Sequence, residues 1–200
     1  MKLYFFPIAP NPTRVLVYLR EKGICLEEIP VNLRDGEQRS PEHLARNPSG
    51  ALPVMETDSG EYITESLPII EYLEELYPQP AMIGEDPLTR ARTREFERQV
   101  ELRLLQPIGR LVHATNSPLG RAPDPVIAER ERSALPSALK FVDERIGTQA
   151  FAAGERPSIV DCTLFAALQF GQYFGWELPV EYANLQRWYS DFRQRPSARM

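Results

Sequence analysis

Short strand-like runs and one helical pattern alternate along the first part of the chain. Lys2 to Phe6 and Leu26 to Val31 have the length and composition of strands. Between them, Thr13 to Lys22 carries its apolar residues on one side at helical spacing and ends at Gly23. Two strands joined by one helix predict a parallel, right-handed βαβ unit.

The next segment predicts a hairpin followed by a helix. Strand-like runs at Pro53 to Glu56 and Glu61 to Ile63 are joined by Thr57-Asp-Ser-Gly60, whose Asp and Gly favour a tight turn. Ser66 to Leu76 has helical periodicity, and a short helix is expected around Pro41 to Ala45. The order is βαβ and then ββα, which indicates an α/β unit.

The second part of the chain has no strand pattern. The proline-rich stretch after Tyr77 predicts a linker over residues 79–87, which separates a first domain, 1–78, from a second, 88–200. The second domain is predicted to be all-helical. Its expected helices are Leu88 to about His113, Pro125 to Ile146, Ser158 to about Phe174, and Tyr182 to Arg193.

Composition narrows the possible functions. With 42 % apolar and 26 % charged residues the chain is an ordinary globular protein, and its net charge of −5 argues against a nucleic-acid partner. No stretch reaches membrane length, so a cytoplasmic location is expected. Cys25 and Cys162 are the only cysteines, so their number excludes a disulfide framework and their spacing excludes a thiol redox motif. His43 and His113 are isolated, so no metal is expected.

Two local motifs resemble the halves of a clamp for a small molecule. A cis bond at Leu52-Pro53 would turn the chain and leave the Leu52 amide and carbonyl free for an extended ligand backbone. Ser66, followed two residues later by Pro68, is typical of a helix N-terminus. The unpaired amides of such an end suit a ligand carboxylate. Taken singly, the same residues fit an ordinary turn and an ordinary N-cap.

A third motif stands in the second domain. Ser158-Ile-Val-Asp161 has the spacing of a capping box before the apolar run that follows it. This motif indicates a role in folding.

Together these motifs resemble the glutathione transferase family. The resemblance implies a thioredoxin-like first domain that binds glutathione as co-substrate, a helical second domain that contributes the electrophile site, and a homodimer. It implies that Leu52, beside a cis Pro53, pairs with the cysteinyl backbone of glutathione. It also implies that Glu65 and Ser66 hold the γ-glutamyl group.

The same resemblance assigns further residues around the tripeptide. Gln38 falls where relatives hold the glycyl carboxylate, and Arg39 beside it is a candidate ionic helper, but both residues equally fit a solvated loop. Phe5 and Ala9 stand where relatives place the Tyr or Ser that stabilises the thiolate. Asn11 is therefore the predicted thiolate donor.

The position of Asn11 allows other readings. Asn11 followed by Pro12 is equally a good N-cap and first helical residue. Thr13 and the backbone amides of the helix start are alternative donors to the thiolate.

The predicted reaction is attack of the glutathione thiolate on a small hydrophobic electrophile. The electrophile is placed between Ile8 to Pro10 and the helix that begins at Leu88. Leu104, Ile108 and Leu111 are candidate lining residues, although core packing explains them better. Two other functions fit the same fold. One is a glutathione-dependent disulfide or peroxide reductase, and the other is a non-catalytic interaction module.

Overall fold

The computed structural model describes residues 1–199 and contains a four-stranded mixed sheet in the order β2-β1-β3-β4. The first two strands run parallel, whereas β1 with β3 and β3 with β4 are antiparallel. The predicted βαβ unit and hairpin are thereby confirmed. The strands are β1 Lys2–Phe5, β2 Glu27–Pro30, β3 Val54–Glu56 and β4 Tyr62–Thr64.

Eight α-helices complete the described chain, three in the first half and five in the second. The predicted all-helical second half is confirmed in residues 88–199, where no element is a strand. None of the helices in the described residues is long and apolar enough to cross a bilayer. The helices are α1 Pro10–Lys22, α2 Pro41–Arg46, α3 Ser66–Leu76, α4 Pro87–Val100, α5 Gln106–Thr115, α6 Pro125–Ile146, α7 Ile159–Tyr173 and α8 Ala183–Phe192.

Two helices differ from their predicted bounds because of prolines. Helix α1 begins at Pro10, three residues before the predicted start, since a first helical turn needs no amide donors and accepts proline there. The single helix predicted from Leu88 is interrupted by a π-helical turn over Glu101–Leu105. Pro107 follows directly, and it has no amide for the carbonyl four residues earlier, so the regular α pattern is broken there.

One hydrophobic core runs through both halves. Helices α1 and α3 cover one face of the sheet, and α1 also packs against α7. Fully buried side chains therefore extend from Tyr18 and Met55 in the first half to Phe165 and Trp188 in the second. The opposite face of the sheet has a separate small cluster that contains Tyr4.

The predicted capping box is present at the start of α7. Asp161 Oδ2 accepts hydrogen bonds from the Ser158 amide at 2.9 Å and from the Ser158 hydroxyl at 2.8 Å. Its Oδ1 accepts from the Ala152 amide at 2.7 Å and from Trp188 Nε1 at 2.9 Å. This carboxylate therefore joins the start of α7 to a loop and to α8.

Candidate active site at the sheet edge

The strand register brings two helix starts to one edge of the sheet. Val54 at the start of β3 lies opposite Tyr4 near the end of β1 and opposite Thr64 at the end of β4. The chain leaves this edge from β1 towards α1, which begins at Pro10, and from β4 directly into α3, which begins at Ser66. Both helices therefore present their N-terminal ends, which carry partial positive charge, to the same edge.

Leu52 leaves a free backbone donor and acceptor at this edge. The Leu52-Pro53 bond is cis, and Leu52 lies just before β3. Its neighbour Ala51 has a carbonyl that accepts from Asn47 Nδ2 at 2.9 Å. By contrast, neither the amide nor the carbonyl of Leu52 has a hydrogen-bond partner in residues 1–199. An extended peptide can pair with such an open edge.

The start of α3 is open as well. Glu65 precedes the helix with φ of 67°, in the left-handed region, and no side chain caps the helix. The first backbone bond joins the Ile69 amide to the Glu65 carbonyl at 3.1 Å, and the described residues offer no partner to the amides of Ser66 and Leu67. Ser66 is the first helical residue, so the alternative in which it is the N-cap is wrong. Its hydroxyl turns into the core.

Arg14 meets that hydroxyl inside the protein. Its Nε donates to Ser66 Oγ at 2.6 Å, and its Nη1 donates to Glu97 Oε1 at 2.9 Å. Thr163 Oγ1 donates to the same oxygen at 2.9 Å. Burial raises the pKa of the Glu97 carboxyl, and the charge of Arg14 opposes that rise. This network joins α1, α3, α4 and α7, and it was not predicted from the sequence. A usable signal was the position of Arg14 directly before the apolar residues of α1.

An apolar cavity of about 270 Å³ adjoins the start of α1. Its wall includes His113, which is half-buried and has Nδ1 3.0 Å from Ser117 Oγ. Burial, with a smaller effect from the charge of Arg121, lowers the pKa of His113. The imidazole therefore stays neutral at neutral pH. The lining residues are Phe6, Pro7, Ile8, Ala9, Pro10, Leu33, Arg34, His113, Pro118, Leu119, Phe170 and Phe174.

Comparison with known proteins agrees with this arrangement. The family model "Glutathione S-transferase, N-terminal domain" matches residues 3–81, and "Glutathione S-transferase, C-terminal domain" matches residues 114–196. The chain belongs to the glutathione S-transferase family. The resemblance inferred from the Leu-Pro, Glu-Ser and capping-box motifs is confirmed.

Individual glutathione transferases and their relatives align over nearly the whole chain. Glutathione S-transferase 2 of Saccharomyces cerevisiae is 31 % identical and is aligned over 100 % of this chain and 88 % of its own length. Maleylacetoacetate isomerase of Pseudomonas aeruginosa is 36 % identical over 97 % of this chain and 94 % of its own. The crystal structure of Gtt2 from Saccharomyces cerevisiae superposes with a TM-score of 0.91 at 31 % identity, covering 99 % of this chain and 98 % of that one.

In this transferase fold Asn11 is the second residue of α1. The N-cap is Ala9, so the interpretation of Asn11 as the cap and Pro12 as the first helical residue is wrong. The Asn11 side chain is half-buried and makes no hydrogen bond within the described chain. Thr13 is 1 % exposed, and its hydroxyl likewise has no partner among residues 1–199.

The residues predicted for the glycyl end of glutathione lie in a short 3₁₀ turn. Gln38 Nε2 is 3.5 Å from the Leu33 carbonyl, and its Oε1 is buried without a partner in residues 1–199. Arg39 is exposed, with Nη1 3.4 Å from the Ser49 carbonyl. Both residues adjoin Gly50, where a Cβ would lie 2.9 Å from the Gln38 carbonyl oxygen and 3.1 Å from Arg39 Nη1. The turn therefore packs beside the loop that leads to Leu52.

The cavity differs from the predicted lining of the electrophile site. It adjoins Ile8 to Pro10, but its opposite wall includes His113 of α5 and Phe170 of α7 and no residue of α4. Moreover, Leu104, Ile108 and Leu111 are 0 to 3 % exposed and belong to the core. The helical pattern identified them as apolar but could not separate residues that face a cavity from residues that face another helix.

Proposed function

We propose that this protein conjugates glutathione to a small hydrophobic electrophile. The observation that carries the proposal is the succession, along one edge, of an uncapped α3 start, the unpaired backbone of Leu52, and an apolar cavity at the start of α1. Glutathione has a charged γ-glutamyl end, a peptide backbone and a thiol in the same order. Glu65 and Ser66 would hold the γ-glutamyl group, and Leu52 beside Pro53 would pair with the cysteinyl backbone.

The thiol would then lie near the start of α1. Pro10 and Pro12 have no amide hydrogen, and the Thr13 amide bonds the Ala9 carbonyl at 3.0 Å. The remaining donors of this turn are the backbone and side-chain amides of Asn11 and the hydroxyl of Thr13. Thr13 is only 1 % exposed, whereas Asn11 is half-buried. We propose Asn11 as the group that stabilises the thiolate. Gln38 and Arg39 would contact the glycyl carboxylate.

The experiment titrates the thiol of bound glutathione with pH and follows the ultraviolet absorbance of its thiolate form. In Asn11→Ala, which removes the side-chain donor without adding a charge, the pKa of the thiol of bound glutathione should rise by about one unit. An unchanged titration curve would exclude the Asn11 side chain. His113→Ala in the same assay tests the neutral imidazole of the cavity wall, which offers a second donor to the thiolate.

A second reaction is favoured by the similarity to a maleylacetoacetate isomerase. The thiolate would add to an electron-poor double bond, the new single bond would rotate, and elimination would return glutathione and the isomerised olefin. The two reactions separate on one measurement, because isomerisation leaves the glutathione concentration unchanged and conjugation consumes it.

The reductase and interaction-module functions make different predictions. Neither Cys25, which is exposed, nor Cys162, which is buried, lines the cavity, so conjugation suits the site better than disulfide exchange through a protein thiol. Calorimetry with millimolar glutathione tests the interaction-module function, which predicts that no heat of binding is detected. We also infer a cytoplasmic location and a homodimer. The homodimer is supported by exposed Tyr62, Leu88 and Leu102 and is testable by sedimentation.

A further inference from the structure

One charged side chain lines the apolar cavity beside the start of α1. Ten of the twelve lining residues are apolar, and the other two are Arg34 and His113. No aspartate or glutamate of residues 1–199 belongs to the wall. Because the imidazole of His113 is neutral at neutral pH, Arg34 alone gives the wall a charge.

The guanidinium of Arg34 is not engaged by the protein itself. Arg34 is exposed in the loop after β2, and its backbone amide donates to Asn32 Oδ1 at 3.0 Å. The two nearest acids along the chain are both held by Asn32: Asp35 Oδ2 accepts from its Nδ2 at 2.6 Å, and Glu37 Oε2 accepts from its backbone amide at 2.7 Å. The Arg34 side chain has neither a hydrogen bond nor an ion pair within the described chain. Its N–H donors are therefore available to a ligand in the cavity.

A second cation acts on the opposite wall of the cavity. Burial is the main cause of the lowered pKa of His113, and the charge of Arg121, in the loop that follows α5, is the second cause. No carboxylate of the described residues raises the pKa of that imidazole. Arg121 is exposed and forms no ion pair in residues 1–199. The cavity therefore lies between two uncompensated positive charges, one from each half of the chain.

We propose that the electrophile carries a carboxylate and that Arg34 binds this carboxylate, which makes Arg34 a specificity-determining residue. This inference rests on the proposed conjugation of glutathione and narrows its substrate class. A guanidinium can pair with both oxygens of a carboxylate, while the apolar walls hold the reactive part of the molecule. The positive charge has a second effect, because the glutathione thiolate would repel an anionic electrophile unless a nearby cation offsets that repulsion.

Two aryl chlorides of nearly the same shape test this preference. In 4-chloro-3,5-dinitrobenzoate the ring carries a carboxylate, and in 4-chloro-3,5-dinitrobenzamide it carries a neutral amide. With either substrate the thiolate forms a C–S bond at the carbon that bears chlorine, and chloride leaves with the electrons of the C–Cl bond. The ratio of kcat/KM for the benzoate to that for the benzamide, at saturating glutathione, should fall about fivefold in Arg34→Gln. The intrinsic reactivities of the two substrates cancel when this ratio is compared between proteins.

Arg132→Gln is the matched control. Arg132 is exposed on α6 and lies outside the cavity wall, so the substitution removes the same charge at a distance and should leave the ratio unchanged. An equal loss of activity towards both substrates in Arg34→Gln would overturn the inference, because Arg34 would then serve the thiolate. A weaker Kd for glutathione with an unchanged ratio would also overturn it, because Arg34 would then serve the tripeptide.

The salt dependence of the wild type gives a test that needs no variant. Raising the ionic strength from about 0.01 M to about 0.15 M shortens the Debye length from about 30 Å to about 8 Å, so kcat/KM for the benzoate should fall about twofold relative to the benzamide. A ratio that neither salt nor Arg34→Gln changes would refute the carboxylate preference and leave the conjugation of glutathione standing. A wild type that conjugates neither substrate would remove the proposed conjugation, and this inference with it.

Discussion

Replacing Asp161 by Asn tests how much of the stability depends on one buried carboxylate. The side chain is fully buried and accepts four hydrogen bonds, from the Ala152 amide, the Ser158 amide and hydroxyl, and Trp188 Nε1, at 2.7 to 2.9 Å. Asn has nearly the same shape, so its Oδ1 can keep two of these donors. Its Nδ2 would face the Ser158 amide, which then has no acceptor.

The expected loss follows from those contacts. One buried amide without a partner costs about 1–3 kcal/mol, and the two retained bonds lose the benefit of a charged acceptor, roughly 0.5–1 kcal/mol each. Relief from burying a charge offsets part of this, which leaves a net loss of about 2–3 kcal/mol. Urea unfolding measures it, with Ser158→Ala as the matched control at about 1 kcal/mol. A loss below about 0.5 kcal/mol in Asp161→Asn would refute the reasoning.

Four further outcomes are expected. Gly171→Ala should cost about 1–3 kcal/mol in urea unfolding, because its Cβ would lie 2.6 Å from a ring carbon of Trp176. Folding lowers the pKa of His113, so its contribution to stability should be lost as pH falls below about 6.5. Arg121→Gln should raise that pKa in an NMR titration. Burial raises the pKa of the Cys162 thiol, so a thiol reagent should modify only the exposed Cys25 until urea unfolds the protein.

The fold could be predicted wherever its cause is local. Ser66–Leu76 and Pro125–Ile146 have the bounds predicted from their apolar patterns and flanking residues. Predictions failed where proline acts through a missing amide: the start of α1 moved forward to Pro10, and the π-helical turn before Pro107 interrupted a predicted long helix. A missing amide can be accommodated in several ways, and neighbouring elements decide which one occurs.

The site shows the same division between local and distant causes. Leu52-Pro53 and Glu65-Ser66 are adjacent pairs, so sequence reasoning found them, and the cis bond expected between the first two is present. Arg14 and Glu97 are separated by 83 positions, and their ion pair depends on the packing of α1 against the helical half. His113 looked isolated in the sequence for the same reason, since the cavity that surrounds it is built from distant segments.

The two helix starts at the sheet edge differ in the hydrogen-bond donors that they offer to a ligand. Helix α3 offers the free amides of Ser66 and Leu67, whereas prolines reduce the donors of α1 to those of Asn11 and the buried hydroxyl of Thr13. A carboxylate has two oxygens, each of which accepts more than one hydrogen bond, whereas a thiolate needs fewer donors and a site from which water is excluded. In the proposed binding mode the γ-glutamyl carboxylate therefore lies at the start of α3 and the thiolate at the start of α1, beside the apolar cavity. A carboxylate at the start of α1 would instead stand against apolar walls with few donors, which is costly.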